Sequence, residues 1–131
     1  MKRDIEIISS RENLRVVEKV IDEMALELNL SDEIYGNVLV ATMEATNNAI
    51  VHGNQSNPDK QVRVFIVHDE RELVIRIADQ GDGFDYESVP DPTSPDNIEK
   101  INGRGLFLMK RLSDGISFEE NGRVVDLKFR I

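Results

Sequence analysis

Cysteine is absent from the 131 residues of this chain. Disulfides and thiolate metal sites are therefore excluded, and a reducing cytoplasm is the compartment that suits such a sequence. No apolar run approaches the ~20 residues that a membrane-spanning helix needs. The opening "MKRDIEIISS" has two basic residues but no long apolar stretch, so it is not expected to act as a secretory signal. Positive charge is scarce as well: 16 Lys and Arg stand against 25 Asp and Glu, a net charge of -9. A duplex-DNA binder usually shows a basic face, so direct nucleic-acid binding is not expected. Nucleotides stay open to an acidic protein, because backbone N–H groups and a metal ion can handle their phosphates. The length fits one domain over 1–131, with room for a real core.

Periodicity organises what is present. "DIEIIS" alternates apolar and polar residues and predicts a strand. Leu14, Val17, Val20, Ile21, Met24 and Leu28 recur at helical spacing. A second helical stripe runs from Ile34 to Ile50, with Ser31 as its cap and Gly53-Asn54 as its stop. "QVRVFIVHD" and "ELVIRIADQ" predict an antiparallel hairpin. From Gly81 to Gly105 the chain turns polar and rich in glycine, with prolines at 90, 92 and 95. A loop of that length in a small domain is often functional. "LFLMKRLSD" predicts a helix beginning just after the glycines, and a last hairpin turns at Asn121-Gly122. The order β-α-α-β-β-loop-α-β-β predicts an α+β fold, a two-layer sandwich whose mostly antiparallel sheet carries about three helices on one face.

Three short stretches carry chemistry. In "MEATNNAIVHGN", Glu44 and Asn48 are four residues apart, on one helix face beside the apolar stripe. A solvated face is the commoner reason for such a pair. The sharper one is a carboxylate that orients a hydroxyl beside an amide oxygen that ligates a hard cation such as Mg2+. In "ADQGDGFD", Asp79 ends a predicted strand and Gly81 and Gly83 follow. A tight turn explains this; so does an aspartate that accepts from a ligand amine while the glycines admit a flat ring. In "NGRGLFLM", Gly103 and Gly105 lead into a helix whose free N–H groups suit phosphate. The third glycine of a dinucleotide fingerprint is missing, and no Lys-Ser/Thr follows as in a Walker loop.

Taken in order, these stretches resemble the GHKL superfamily of ATP-binding domains, which includes gyrase, heat-shock protein 90, histidine kinase and mismatch-repair types. "EATNNAIVHGN" resembles the N box, "DQGDGFD" the first glycine box and "GRGLFLM" the second. Nearly the whole chain is covered. Its size and the "HGN" ending look most like the bacterial anti-sigma-factor serine/threonine kinases. The resemblance implies a Bergerat-type sandwich that binds ATP and Mg2+. It implies Glu44 as general base, Asn48 as the Mg2+ ligand and Asp79 as the acceptor for the adenine amino group. Gly81 and Gly83 shape the adenine pocket and lid base; Gly103, Arg104, Gly105 and Leu106 form the phosphate-side box. It further implies a sigma factor and a STAS-type anti-anti-sigma protein as partners, a homodimer, and a cytoplasmic protein without membrane attachment.

One departure stands out. Relatives often carry a threonine near the start of the last strand, where this chain reads Gly122-Arg123-Val124-Val125. A hydroxyl contact to the base is lost, which keeps open a second function: a regulatory module that binds nucleotide without phosphotransfer. An upstream phospho-accepting hairpin is not expected, so histidine autophosphorylation is disfavoured. His52 is expected to cap its helix and His68 to lie on the surface. Arg11, Arg15 and Lys19 are expected to form a solvated stripe paired with Glu12, Glu18 or Asp22, with partner docking as the sharper reading.

Overall fold

The computed structural model describes residues 2–82 and 105–131 in full and, for 101–104, the helical backbone alone. The long segment with Pro90, Pro92 and Pro95, the lid expected of it, and Gly83 lie outside the described residues.

Five strands form one sheet: β1 (Lys2–Ile8), β2 (Gln61–His68), β3 (Glu72–Ala78), β4 (Gly115–Glu119) and β5 (Val124–Arg130). Their order is β1-β2-β3-β5-β4, and every neighbouring pair is antiparallel. Alternation in the sequence explains the strands. Val62, Val64 and Ile66 of β2, Leu73, Ile75 and Ile77 of β3, and Leu127 and Phe129 of β5 are all buried on one face. Each such side chain contributes about 1.5–3 kcal/mol when fully buried. The other face carries polar pairs. Arg76 and Asp126, opposite each other in register, share two hydrogen bonds of 2.8 Å.

The helices α1 (Leu14–Glu27), α2 (Asp32–Asn48) and α3 (Ile101–Leu112) cover the apolar face, so the expected α+β sandwich forms. Helix α1 buries Val17, Ile21 and Met24, one residue per turn. It ends in a Schellman turn: Leu30 N–H donates to the Ala25 carbonyl and Asn29 N–H to that of Leu26, with Asn29 at φ 52. Helix α2 starts as its sequence predicts. The Ser31 hydroxyl accepts from Ile34 N–H at 3.2 Å, and Asp32 and Glu33 complement the dipole. Ala41 and Ala45 are small enough to lay α2 close against the sheet between α1 and α3. The final turn, Ala49–Gly53, widens to π-helical, and Asn54 N–H closes it on the Ala49 carbonyl at 2.8 Å.

Three expectations change. Helix α3 begins at Ile101, so Gly103 and Gly105 lie inside its first two turns and do not precede it. His68 does close β2, but it is half-buried and its Nε2 has no hydrogen-bond partner among the described residues. Arg11, Arg15 and Lys19 form no ion pair among the described residues; α1 pairs instead through Glu23 and Glu27 with Arg3 of β1. Asp22 accepts from the Tyr35 hydroxyl of α2.

Candidate functional site

The end of α2 meets the end of β3 with no space between them. A Cβ on Gly53 would lie 2.3 Å from Asp79 Oδ2, and one on Gly81 would lie 1.9 Å from the Gly53 carbonyl oxygen. Only glycine permits such approach of two backbones and a carboxylate. Asp79 Oδ1 accepts from Gly81 N–H at 2.8 Å, and Asp79 N–H donates to the Arg123 carbonyl at 2.9 Å. Burial is the main influence on this carboxyl and holds its pKa above the usual carboxylate value. The Gly81 N–H and the positive charges of Arg123 and Lys60 pull in the opposite direction.

Asn54 fixes this corner from behind. It is 1% exposed. Its Nδ2 donates to the Ser9 hydroxyl at 2.8 Å and to the Gln61 carbonyl at 3.0 Å, while its Oδ1 accepts from Gln80 N–H at 2.7 Å. One side chain thereby ties the end of β1, the start of β2 and the residue after Asp79.

A second cluster joins α2 to α3. A Cβ on Gly105 would lie 3.0 Å from Glu44 Oε2 and 3.1 Å from Asn48 Nδ2. The pair predicted to share a face of α2 therefore meets the second glycine box directly. Among the described residues, Asn48 Oδ1 is buried without a hydrogen-bond partner, and so is Asn47 Oδ1. A buried amide oxygen left unpaired is costly unless a ligand completes it, and a neutral oxygen is what a hard cation takes. On that chemistry the site fits Mg2+.

Between the clusters lies a cavity of about 120 Å³. Ala45, Asn48 and Ala49 of α2 form one wall; Leu106 and Met109 of α3, Phe118 of β4, and Val125 of β5 form others. Ile77 and Asp79 stand with Gly53 at one end. The wall is apolar and the polar groups are few, the character of a pocket for a flat heteroaromatic ring. Asn48 belongs both to the second cluster and to the cavity wall, so the cavity leads from Asp79 toward the Glu44–Asn48 pair.

The predicted residues thus fall as follows. Glu44, Asn48 and Gly105 come together, Asp79 and Gly81 come together, and Leu106 lines the cavity between. Gly103 and Arg104 lie in the first turn of α3, whose first four N–H groups have no intrahelical partner. Sequence reasoning missed Asn54, Gly53, Met109 and Phe118. Asn54 and Gly53 were legible only as a helix stop. His52, expected as a cap, lies on the cavity wall.

A model of the histidine kinase-like ATPase domain matches residues 7–129. The anti-sigma F factor of Clostridium acetobutylicum is 31% identical over 126 residues, covering 93% of this chain and 87% of that protein. The serine-protein kinase RsbW of Oceanobacillus iheyensis is 28% identical over 119 residues, covering 86% and 75%. The anti-sigma F factor of Heyndrickxia coagulans is 35% identical over 104 residues, covering 74% and 69%.

Proposed function

This chain belongs to the histidine kinase-like ATPase domain family, and on that premise we propose that it is an ATP-dependent serine/threonine protein kinase of the anti-sigma type. It binds a sigma factor and phosphorylates a STAS-type anti-anti-sigma protein, as a cytoplasmic homodimer in a partner-switching system. The names of its relatives support this reading. One observation carries it: Glu44 and Asn48 converge on Gly105, and Asn48 also lines a cavity that reaches Asp79.

Asp79 accepts from the adenine amino group, and Gly53 and Gly81 let the ring approach the backbone. Leu106 and Met109 pack on the ring. The N–H groups of the first turn of α3, Gly103 and Arg104 among them, face the phosphates. Asn48 holds Mg2+, which when bound neutralises phosphate charge. Glu44 accepts the proton of the attacking hydroxyl. The new bond forms between that oxygen and the γ-phosphorus, the bond to the β–γ bridging oxygen breaks, and ADP leaves with the electron pair.

Purified protein, Mg2+, γ-labelled ATP and a STAS-type substrate test the proposal. Label is expected on a serine or threonine of the substrate, and Glu44→Ala is expected to abolish it. ATP binding with no transfer to any STAS-type partner overturns the kinase reading. It favours the second one, a nucleotide-controlled interaction module, which Arg123 at the cavity wall makes worth separating.

A further inference from the structure

One backbone hydrogen bond joins Asp79 to Arg123 just past the end of the β3–β5 ladder. The register sets Ile77 opposite Val125 and Ala78 opposite Val124, and Asp79 N–H then meets the Arg123 carbonyl at 2.9 Å. Arg123 caps the turn before β5 with a helical backbone (φ -70°, ψ -22°), and its place on the cavity beside Asp79, Ile77 and Val125 comes from that turn. All four line the cavity. A carboxylate, which only accepts, and a guanidinium, which only donates, thus line one cavity.

Arg123 is braced on its outer side. Its Nε–H donates to the Glu120 carbonyl at 3.2 Å, and its terminal nitrogen lies 3.7 Å from the Glu120 carboxylate. The turn that supplies Glu120 holds three successive positive φ angles, at Glu120 (51°), Asn121 (60°) and Gly122 (88°). The hydrogen bond to Glu120 occupies one of five guanidinium N–H groups and leaves the others for a ligand.

Acceptor beside donor is the complement of adenine's Watson–Crick edge, where the N6 amino group donates and N1 accepts. That edge is the one farthest from N9, which carries the ribose and phosphates toward Asn48 and Gly105. We propose that Arg123 is a specificity residue that donates to adenine N1 while Asp79 accepts from N6. The inference rests on the ATP reading of the site. Guanine and hypoxanthine present O6 to Asp79 and N1–H to Arg123, like against like at both positions. Arg123 also favours the ionised form of Asp79, the form that accepts. Its guanidinium thereby replaces the hydroxyl contact that the threonine of related chains suggests.

Calorimetry with ATP, 1-deaza-ATP and 7-deaza-ATP tests this on the wild type, Arg123→Ala and Arg123→Lys, with circular dichroism to check folding. A charge-assisted hydrogen bond predicts that the wild type binds 1-deaza-ATP about tenfold more weakly than ATP and 7-deaza-ATP about as well as ATP. Arg123→Ala is expected to bind ATP about tenfold more weakly and to make no distinction between ATP and 1-deaza-ATP. Arg123→Lys keeps part of the distinction. Equal binding of ATP and 1-deaza-ATP by the wild type overturns the proposal, whatever the variants do. So does a 1-deaza penalty that survives Arg123→Ala, or a penalty on 7-deaza-ATP alone. A wild type that binds no ATP overturns the nucleotide reading itself, and this inference with it.

Discussion

The Cα of Gly53 faces the Asp79 carboxylate so closely that a Cβ there would lie 2.3 Å from Oδ2. The helix end and the strand end are therefore fitted to each other through one hydrogen atom. Gly53→Ala is expected to displace Asp79 from the Gly81 N–H. ATP affinity falls by more than about tenfold, and overpacking costs about 1–3 kcal/mol of stability. Calorimetry and urea unfolding measure the two effects.

Asp79 itself trades stability for binding. Its carboxyl is held above its ordinary value of 3.8, chiefly by burial. The native state therefore keeps this proton to higher pH than the unfolded chain does. The favourable contribution is complete below about 3.8 and is lost as pH rises through the raised native value. Asp79→Asn cannot ionise, and its Oδ1 can still accept from Gly81. Relative to wild type, this variant gains stability across that window and holds the gain at neutral pH, while ATP binding is lost. Urea midpoints from pH 3 to 8 report the sign; a constant difference across the series contradicts it.

Asn54→Ala removes three hydrogen bonds at once and leaves the Gln80 N–H and Gln61 carbonyl without that partner. A loss of about 2–4 kcal/mol is expected by denaturant titration. The residue after Asp79 is loosened as well, so ATP affinity falls with stability.

Gly105→Ala separates activity from stability. Alanine is the better helix former by about 1 kcal/mol, which offsets the contact made by its Cβ. That Cβ lies 3.0 Å from Glu44 Oε2 and 3.1 Å from Asn48 Nδ2, so both side chains must move. Thermal stability stays near wild type, and the initial rate of phosphotransfer falls at least about tenfold, because small misplacements of reacting groups are costly.

Glu44→Gln keeps the shape and removes the base. Phosphotransfer drops by about 100-fold or more, while the dissociation constant for ATP changes little. Asn48→Ala has the complementary signature: the Mg2+ concentration needed for half-maximal ATP binding rises. A Glu44→Gln variant that transfers label at the wild-type rate removes the general-base role.

The strands and helices were legible because apolar residues recur at two and at three to four residues, and burial follows those periods. The start of α3 was not. Gly103 and Gly105 read as breakers on propensity alone, yet α3 packs on α2 at a point where a Cβ at 105 has almost no room. The glycine serves closeness, and the helix runs through it.

The sequence by itself determined the order of elements, the faces they bury and the three motifs, since each depends on residues near in the chain. Only the tertiary structure brought Glu44 and Asn48 against Gly105, and Gly53 against Asp79 and Gly81. It alone buried Asn54 as the tie between β1, β2 and Gln80, and joined Arg123 to Asp79 past the end of the β3–β5 pairing. Those relations join residues as many as 61 positions apart, and no local period encodes which strand lies next to which. They arise when the sheet pairs β3 with β5 and the helices close over it, because packing then fixes side chains that the chain holds far apart.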